Sequence, residues 1–184
     1  PHNKFLPDLK ENDKEALKVM RFLEKRLVKN GLTEKFNKAV EKLMKLGVYT
    51  PAENVPEANK LQRSFITLTY TLHKRDETGQ PKLRVCSNSS FHTGDNISFN
   101  STCLPTPAYL NLLESVLTRT RLKSWFSFAD VESCYNQLDC SLLDSSLRRV
   151  WLKQGGMGSE TEWKVYLTSK VNFGDLLGGV VSSI

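Results

Sequence analysis

The sequence has no C-x-x-C pair among its four cysteines (Cys86, Cys103, Cys134, Cys140), and its three histidines (His2, His73, His92) are scattered. That spacing argues against a structural zinc site. Free thiols in a reducing compartment are the expectation. No signal peptide opens the chain, and no apolar run is long enough to span a bilayer, so an intracellular protein with no membrane partner is expected. One feature points the other way. Asn88-Ser89-Ser90, Asn96-Ile97-Ser98 and Asn100-Ser101-Thr102 fit the N-glycosylation acceptor pattern, although in a stretch so rich in Ser, Thr and Asn chance matches are expected. Internal repeats are also missing.

What is present is a basic chain of 184 residues, 39% apolar and 25% charged, with a net charge of +6. The length fits one domain or slightly more, with enough apolar content for a core. The positive balance favours polyanions such as nucleic acid, or a membrane surface; the plainer alternative is a solvated basic helical face.

Asn12 or Asp13 can cap a helix to about Val28, with Leu17, Met20, Leu23, Leu27 and Val28 inward. Thr33 starts a second helix to about Leu46, with Phe36, Val40, Leu43 and Met44 inward. Pro51 to Asn59 reads as a linker. Residues 65 to 88 read as a β-hairpin: Phe65 to Leu72 alternates, His73 to Pro81 turns, and Lys82 to Cys86 returns. Its tip carries Lys74, Arg75, Lys82 and Arg84. Residues 87 to 106 form a polar loop, long for a compact domain. A helix is expected from Pro107 to about Arg119, with Leu110, Leu113, Val116 and Leu117 inward. Trp125 to Val131 reads as an aromatic-rich strand ending on Asp130, followed by a short helix over Ser133 to Leu138. Leu147 to Leu152 and Trp163 to Val171 read as an antiparallel pair around a Gly-rich turn, and Gly174 to Ile184 begins another helix. The mixed order indicates an α+β fold.

Asp130 carries the chemistry. A carboxylate closing an apolar strand is costly to bury without a partner. Tyr135 follows one helical turn further on. That pair suits a divalent metal held against a triphosphate with a ring under the sugar. The alternative is an aspartate that caps the next helix.

The string Asp130-Val131-Glu132-Ser133-Cys134-Tyr135-Asn136-Gln137-Leu138 resembles the first aspartate motif of reverse transcriptases, Asp-(Val/Ile)-x-x-x-(Tyr/Phe)-x-x-(Ile/Leu). Further blocks follow the order of the Pao/BEL group of LTR retrotransposons. Tyr70-Thr71-Leu72-His73 resembles its Leu-Pro-His-His, and Lys82-Leu83-Arg84-Val85 its Lys-Leu-Arg-Val. Ile97-Ser98-Phe99-Asn100 is similar to its Ser-Leu-Asn. Leu147-Arg148-Arg149-Val150-Trp151 resembles its Leu-Arg-Phe-Leu-Trp, and Val171-Asn172-Phe173-Gly174 its Phe-Gly turn.

The resemblance implies a right-hand polymerase: a helical hairpin over 1–50, fingers over 51–122 and a partial palm over 123–184. It implies an RNA-directed DNA polymerase that binds an RNA or DNA primer–template and a deoxynucleoside triphosphate. Asp130 and the Val131 carbonyl would hold magnesium, and Tyr135 would exclude a 2′-hydroxyl. Arg84 and Lys82 would meet the triphosphate, and Phe173 and Gly174 would line the nucleotide pocket. Lys74 and Arg75 would meet phosphates or template. For the cations the alternative is exposed hairpin charge, and for Phe173 a place in the core.

The chain departs from the family at Cys86 to Ser90 (family Val-Phe-Asp-Ala-Ser), at Leu104 to Pro107, and at Asp175 to Gly179 after Phe-Gly. The family's downstream aromatic-x-Asp-Asp turn is not among these residues, so this stretch is not expected to polymerise DNA alone. A non-catalytic nucleic acid- or protein-binding derivative is the other expectation. In it the apolar end Leu176 to Ile184 would meet a partner or a second copy.

Overall fold

The computed structural model describes residues 9, 11–73, 79, 81–92, 97–103, 111–127, 129 and 131–175. Two helices open it, α1 (Asp13–Lys29) and α2 (Thr33–Lys45). Strand β1 (Tyr49–Pro51) and two 3-10 turns (Ala52–Asn54 and Pro56–Lys60) follow. Next come β2 (Thr67–His73), β3 (Lys82–Asn88), α3 (Phe99–Thr102) and α4 (Leu113–Arg121). A 3-10 turn (Cys134–Gln137), α5 (Leu142–Ser146), β4 (Arg149–Lys153) and β5 (Trp163–Thr168) complete the order. β2 and β3 form an antiparallel hairpin, and β1-β5-β4 a separate antiparallel sheet. The fold is therefore mixed α+β, as the element order implies. No described helix is long and apolar enough to cross a membrane.

Apolar periodicity explains the helices. Ala16, Met20, Leu23 and Leu27 recur at helical spacing and are buried along α1; Phe36 and Val40 do the same in α2. Val28, expected inward, is exposed, because it lies off that stripe in the last turn. One core joins these faces to Ile66, Leu68 and Val85 of the hairpin and to Val150, Leu152 and Tyr166 of the sheet. Asn12 does not cap α1 with its side chain. It is buried and pairs with the Phe65 backbone instead: its Nδ2 donates to the Phe65 carbonyl (2.9 Å), and its Oδ1 accepts from the Phe65 amide (2.7 Å). The Gly-rich turn between β4 and β5 docks on both helices. Asn37 bonds the Met157 backbone in both directions, and Glu24 accepts from the Gly158 amide and pairs with Lys153 at 2.8 Å.

Several expectations are corrected. The linker after residue 50 contributes β1, which pairs with β5, and two 3-10 turns. The polar loop after β3 folds in part: Ser98 caps α3 in a reciprocal box with Ser101, and Ser89, Phe99 and Thr102 are buried. Helix α4 starts at Leu113, and Leu113, Val116 and Leu117 are exposed, not inward. The described residues from Trp125 to Val131 are not in a strand, and Trp125 is 83% exposed. The short helix around Tyr135 is a 3-10 turn. The expected helix after Gly174 lies outside the described residues except for Gly174 and Asp175, which are not helical.

Candidate functional site

β3 and the segments around residues 135 and 173 bring several of the anticipated residues together. A cavity of about 370 Å³ opens between α2 and β3, with Lys82 and Arg84 on one wall, Lys42 on another, and Glu132, Asn136 and Phe173 closing it. Strand alternation puts Lys82 and Arg84 on the same side of the hairpin, two residues apart. The Arg84 guanidinium lies 5.9 Å from the centre of the Phe173 ring, within reach of a cation–π contact. Tyr135 meets the same ring edge-on at 5.1 Å. Phe173 is thus half-exposed at the cavity wall, not core.

Buried asparagines hold these aromatics in place. Asn172 donates from Nδ2 to the Tyr49 hydroxyl (3.0 Å) and to Ser87 Oγ (3.1 Å), and its Oδ1 accepts from the Phe173 amide (2.9 Å). The Phe173 carbonyl accepts from the Ser87 amide at 2.7 Å. Phe173 is therefore pinned through both of its backbone polar groups. Asn136 donates to the Val171 carbonyl at 3.0 Å, which ties the Tyr135 turn to the same segment. Ser133 enters that turn in the left-handed region, at φ 53°. Burial pushes the Tyr49 hydroxyl well above its ordinary range, against the hydrogen bonds from Ser87 and Asn172, so it stays neutral.

Beneath Phe173 lies a buried ion pair, Arg148 with Asp175. Asp175 also accepts from the Ser89 hydroxyl and, at 2.9 Å, from the Asn172 amide. Arg148 donates further to the carbonyls of Asp144, Lys170 and Thr168 and lies over the Phe99 ring at 5.1 Å. Burial opposes its charge, but the Asp175 carboxylate leads the influences that hold the guanidinium above its ordinary range. Two of the departures from the family pattern meet here. Ser87 and Ser89 stand in one and Asp175 in the other, and Ser89 bonds Asp175 directly.

Gly174 does not line the cavity. Its carbonyl accepts from Asn100 Nδ2 at 3.0 Å, and its Cα faces the Ser87 carbonyl. Val131 is 62% exposed. Asp130, Lys74, Arg75 and Leu176 to Ile184 lie outside the described residues. Among the described residues no three His, Cys, Asp or Glu side chains form a group. Glu132 is the acid on the cavity wall, and it is ion-paired with Lys42 at 3.2 Å. The oxygen donors of this stretch, which are Asp130, the Val131 carbonyl and Glu132, suit a hard cation such as magnesium.

Sequence reasoning did not single out Lys42, Glu132, Asn136 or Asn172 as site residues. Lys42 reads as a solvated helical lysine, and asparagines in a loop carry no local signal of burial. No protein-family model matches this chain, and neither a curated protein nor a solved structure does.

Proposed function

We propose that this chain is the fingers and partial palm portion of an RNA-directed DNA polymerase of the Pao/BEL type, and that the cavity beside β3 takes the incoming nucleotide. The convergence of Lys82, Arg84 and Phe173 on one cavity, with Tyr135 packed against that phenylalanine, is the observation that carries the reading. These residues come from segments distant in sequence, and each stands in a block of the resemblance.

The chemistry fits. Arg84 presents a planar fork of donors suited to phosphate oxygens, and Lys82 adds a point charge beside it. Tyr135 and Phe173 offer apolar surface for a sugar and a base. Asp130 and the Val131 carbonyl would hold magnesium, which in such polymerases activates the attacking hydroxyl and stabilises the leaving oxygen. Reaction would further require the second aspartate motif, which is not among these residues.

Arg84→Ala tests the cavity. We expect it to weaken binding of a deoxynucleoside triphosphate by about tenfold, the loss of a charge-assisted contact, with the unfolding midpoint unchanged. Calorimetric titration reads the first and thermal unfolding the second. Unchanged affinity would remove this cavity from nucleotide binding.

A second reading is a nucleic acid-binding module without polymerase chemistry. The solvent face of α1 favours it. Lys14, Lys18, Arg21, Lys25, Arg26 and Lys29 are all exposed there, and a groove of about 460 Å³ runs between α1 and β2 past Phe22 and Arg26. Its binding would be steeply salt-dependent and indifferent to Asp130.

A further inference from the structure

Arg148 and Arg149 are neighbours in sequence and both are buried, but among the described residues only Arg148 has a counter-charge. Arg148 is paired with Asp175. Arg149 is 3% exposed and, among the described residues, bonds only neutral oxygens: Nε to the Ser146 carbonyl (3.3 Å), Nη1 to Asn59 Oδ1 (3.0 Å), and Nη2 to the Ala58 carbonyl (2.7 Å) and Ser146 Oγ (3.2 Å). These contacts satisfy most of its five N–H donors and leave one Nη1 hydrogen over. They do not neutralise its charge. Among the described residues no carboxylate lies within ion-pair distance of it; Glu11 is bound to Arg63, at 3.7 Å. Burial first, and Arg63 second, pull the Arg149 guanidinium below its ordinary range, while Glu11 works the other way. Buried charges are normally paired, because desolvation without a counter-charge is costly.

The same guanidinium lines a cavity of about 400 Å³ that has Arg63, Asn59, Trp151, Trp163 and Lys164 among its walls. The sheet builds it. Arg149 and Trp151 alternate onto one face of β4, and Trp151 sits opposite Val165 of β5. Trp151 is held rigidly: it stacks on Phe65 at 5.5 Å with 13° between the planes and donates its indole N–H to the Asp13 carbonyl at 3.1 Å. Lys164 at the rim is engaged by Glu53 at 3.3 Å and Arg63 by Glu11 at 3.7 Å, both in exposed pairs, which leaves Arg149 as the wall cation without a carboxylate partner among the described residues. None of the walls is shared with the cavity beside β3.

We infer that this cavity is a second phosphate site, which takes one nucleotide unit with its phosphate on Arg63 and Arg149 and its base against the tryptophans. Arg149 has one Nη1 hydrogen left to give a phosphate oxygen, Arg63 can exchange its exposed carboxylate partner for another, and indole faces stack on any base without reading its identity. The volume is that of a small-ligand pocket. The unit can come from a free nucleotide or from a single strand. The site stands independently of the polymerase reading.

The test uses the full chain with Trp125→Phe, which removes the tryptophan outside the cavity. Its fluorescence is titrated with AMP, with inorganic phosphate and with a short oligothymidylate. AMP should quench Trp151 and Trp163, and inorganic phosphate should displace it. Arg149 braces the Ala58–Asn59 turn, so its replacement risks the fold; Arg63, at the rim, is the variant to use. Arg63→Ala should weaken AMP by about tenfold, and Arg84→Ala should leave it within about twofold. Oligothymidylate binding far tighter than AMP assigns the site to a strand, and equal or weaker binding assigns it to the free nucleotide. Absence of quenching by both AMP and the oligonucleotide, or quenching that Arg63→Ala leaves intact, overturns the inference.

Discussion

Arg148→Met should destabilise the fold by about 3–5 kcal/mol, measured by urea unfolding at neutral pH. Both side chains of the Arg148–Asp175 pair are fully buried. Removing the guanidinium leaves a carboxylate without its counter-charge, and it takes donors from the carbonyls of Asp144, Lys170 and Thr168. The cost of an abandoned buried charge exceeds what the intact pair contributes, so the double variant Arg148→Met/Asp175→Leu should regain much of the loss. A single-variant loss under about 1 kcal/mol would show that the pair is more hydrated than its burial indicates. The effect should reach the nucleotide cavity too. Asp175 accepts the Asn172 amide, and Asn172 in turn positions Phe173. A folded remnant of Arg148→Met should therefore bind nucleotide more weakly than its fraction folded accounts for.

Gly174→Ala should cost about 2–4 kcal/mol in the same unfolding experiment, from backbone strain and overpacking together. Gly174 has φ +99°, and a Cβ there would lie 1.8 Å from the Ser87 carbonyl oxygen. That neighbour is backbone, and the Ser87 amide is already bonded to the Phe173 carbonyl, so it cannot yield cheaply. Gly31→Ala is the control. Its φ is +63°, but nothing lies within 4 Å of the added carbon. Only the left-handed backbone opposes it, at about 1 kcal/mol. Equal losses in the two variants would mean that the close approach at Ser87 contributes nothing.

Periodic segments were legible in the sequence. The stripe Met20, Leu23, Leu27 needs a helix, and the alternation of Thr67 to His73 against Lys82 to Asn88 needs a hairpin. β4 and β5 could be read for the same reason. Short or aperiodic elements could not. β1 is three residues ending in proline, and it exists because β5 has a free edge for it, a fact of tertiary structure. Trp125 and Phe126 have strand-forming side chains, but propensity alone does not make a strand, and both rings are exposed with no described strand beside them. Leu113 and Leu117 follow a helical period although both are exposed, since periodicity fixes a face without saying what covers it.

The candidate site was legible where residue type and motif coincided, at Lys82, Arg84, Tyr135 and Phe173. Its supports were not. Asn136 and Asn172 look like loop residues until their amides are seen to hold Val171 and Tyr49. In the sequence, the serines after Cys86 and the aspartate after Gly174 look like unrelated departures from a family pattern. In space Ser89 and Asp175 are hydrogen-bonded, and Arg148 completes the set from a block 27 positions away from Asp175. Pairings of that range leave no local trace in a single sequence.

The polymerase reading requires that Asp130 and the wall formed by Lys82, Arg84 and Phe173 serve one ligand. Titration of a deoxynucleoside triphosphate with and without magnesium, on the unaltered chain, on Asp130→Asn and on Arg84→Ala, addresses this directly. Magnesium should strengthen binding to the unaltered chain, Asp130→Asn should abolish that gain while keeping the metal-free affinity, and Arg84→Ala should weaken binding under both conditions. Affinity that ignores magnesium, or a magnesium gain that survives in Asp130→Asn, would contradict it.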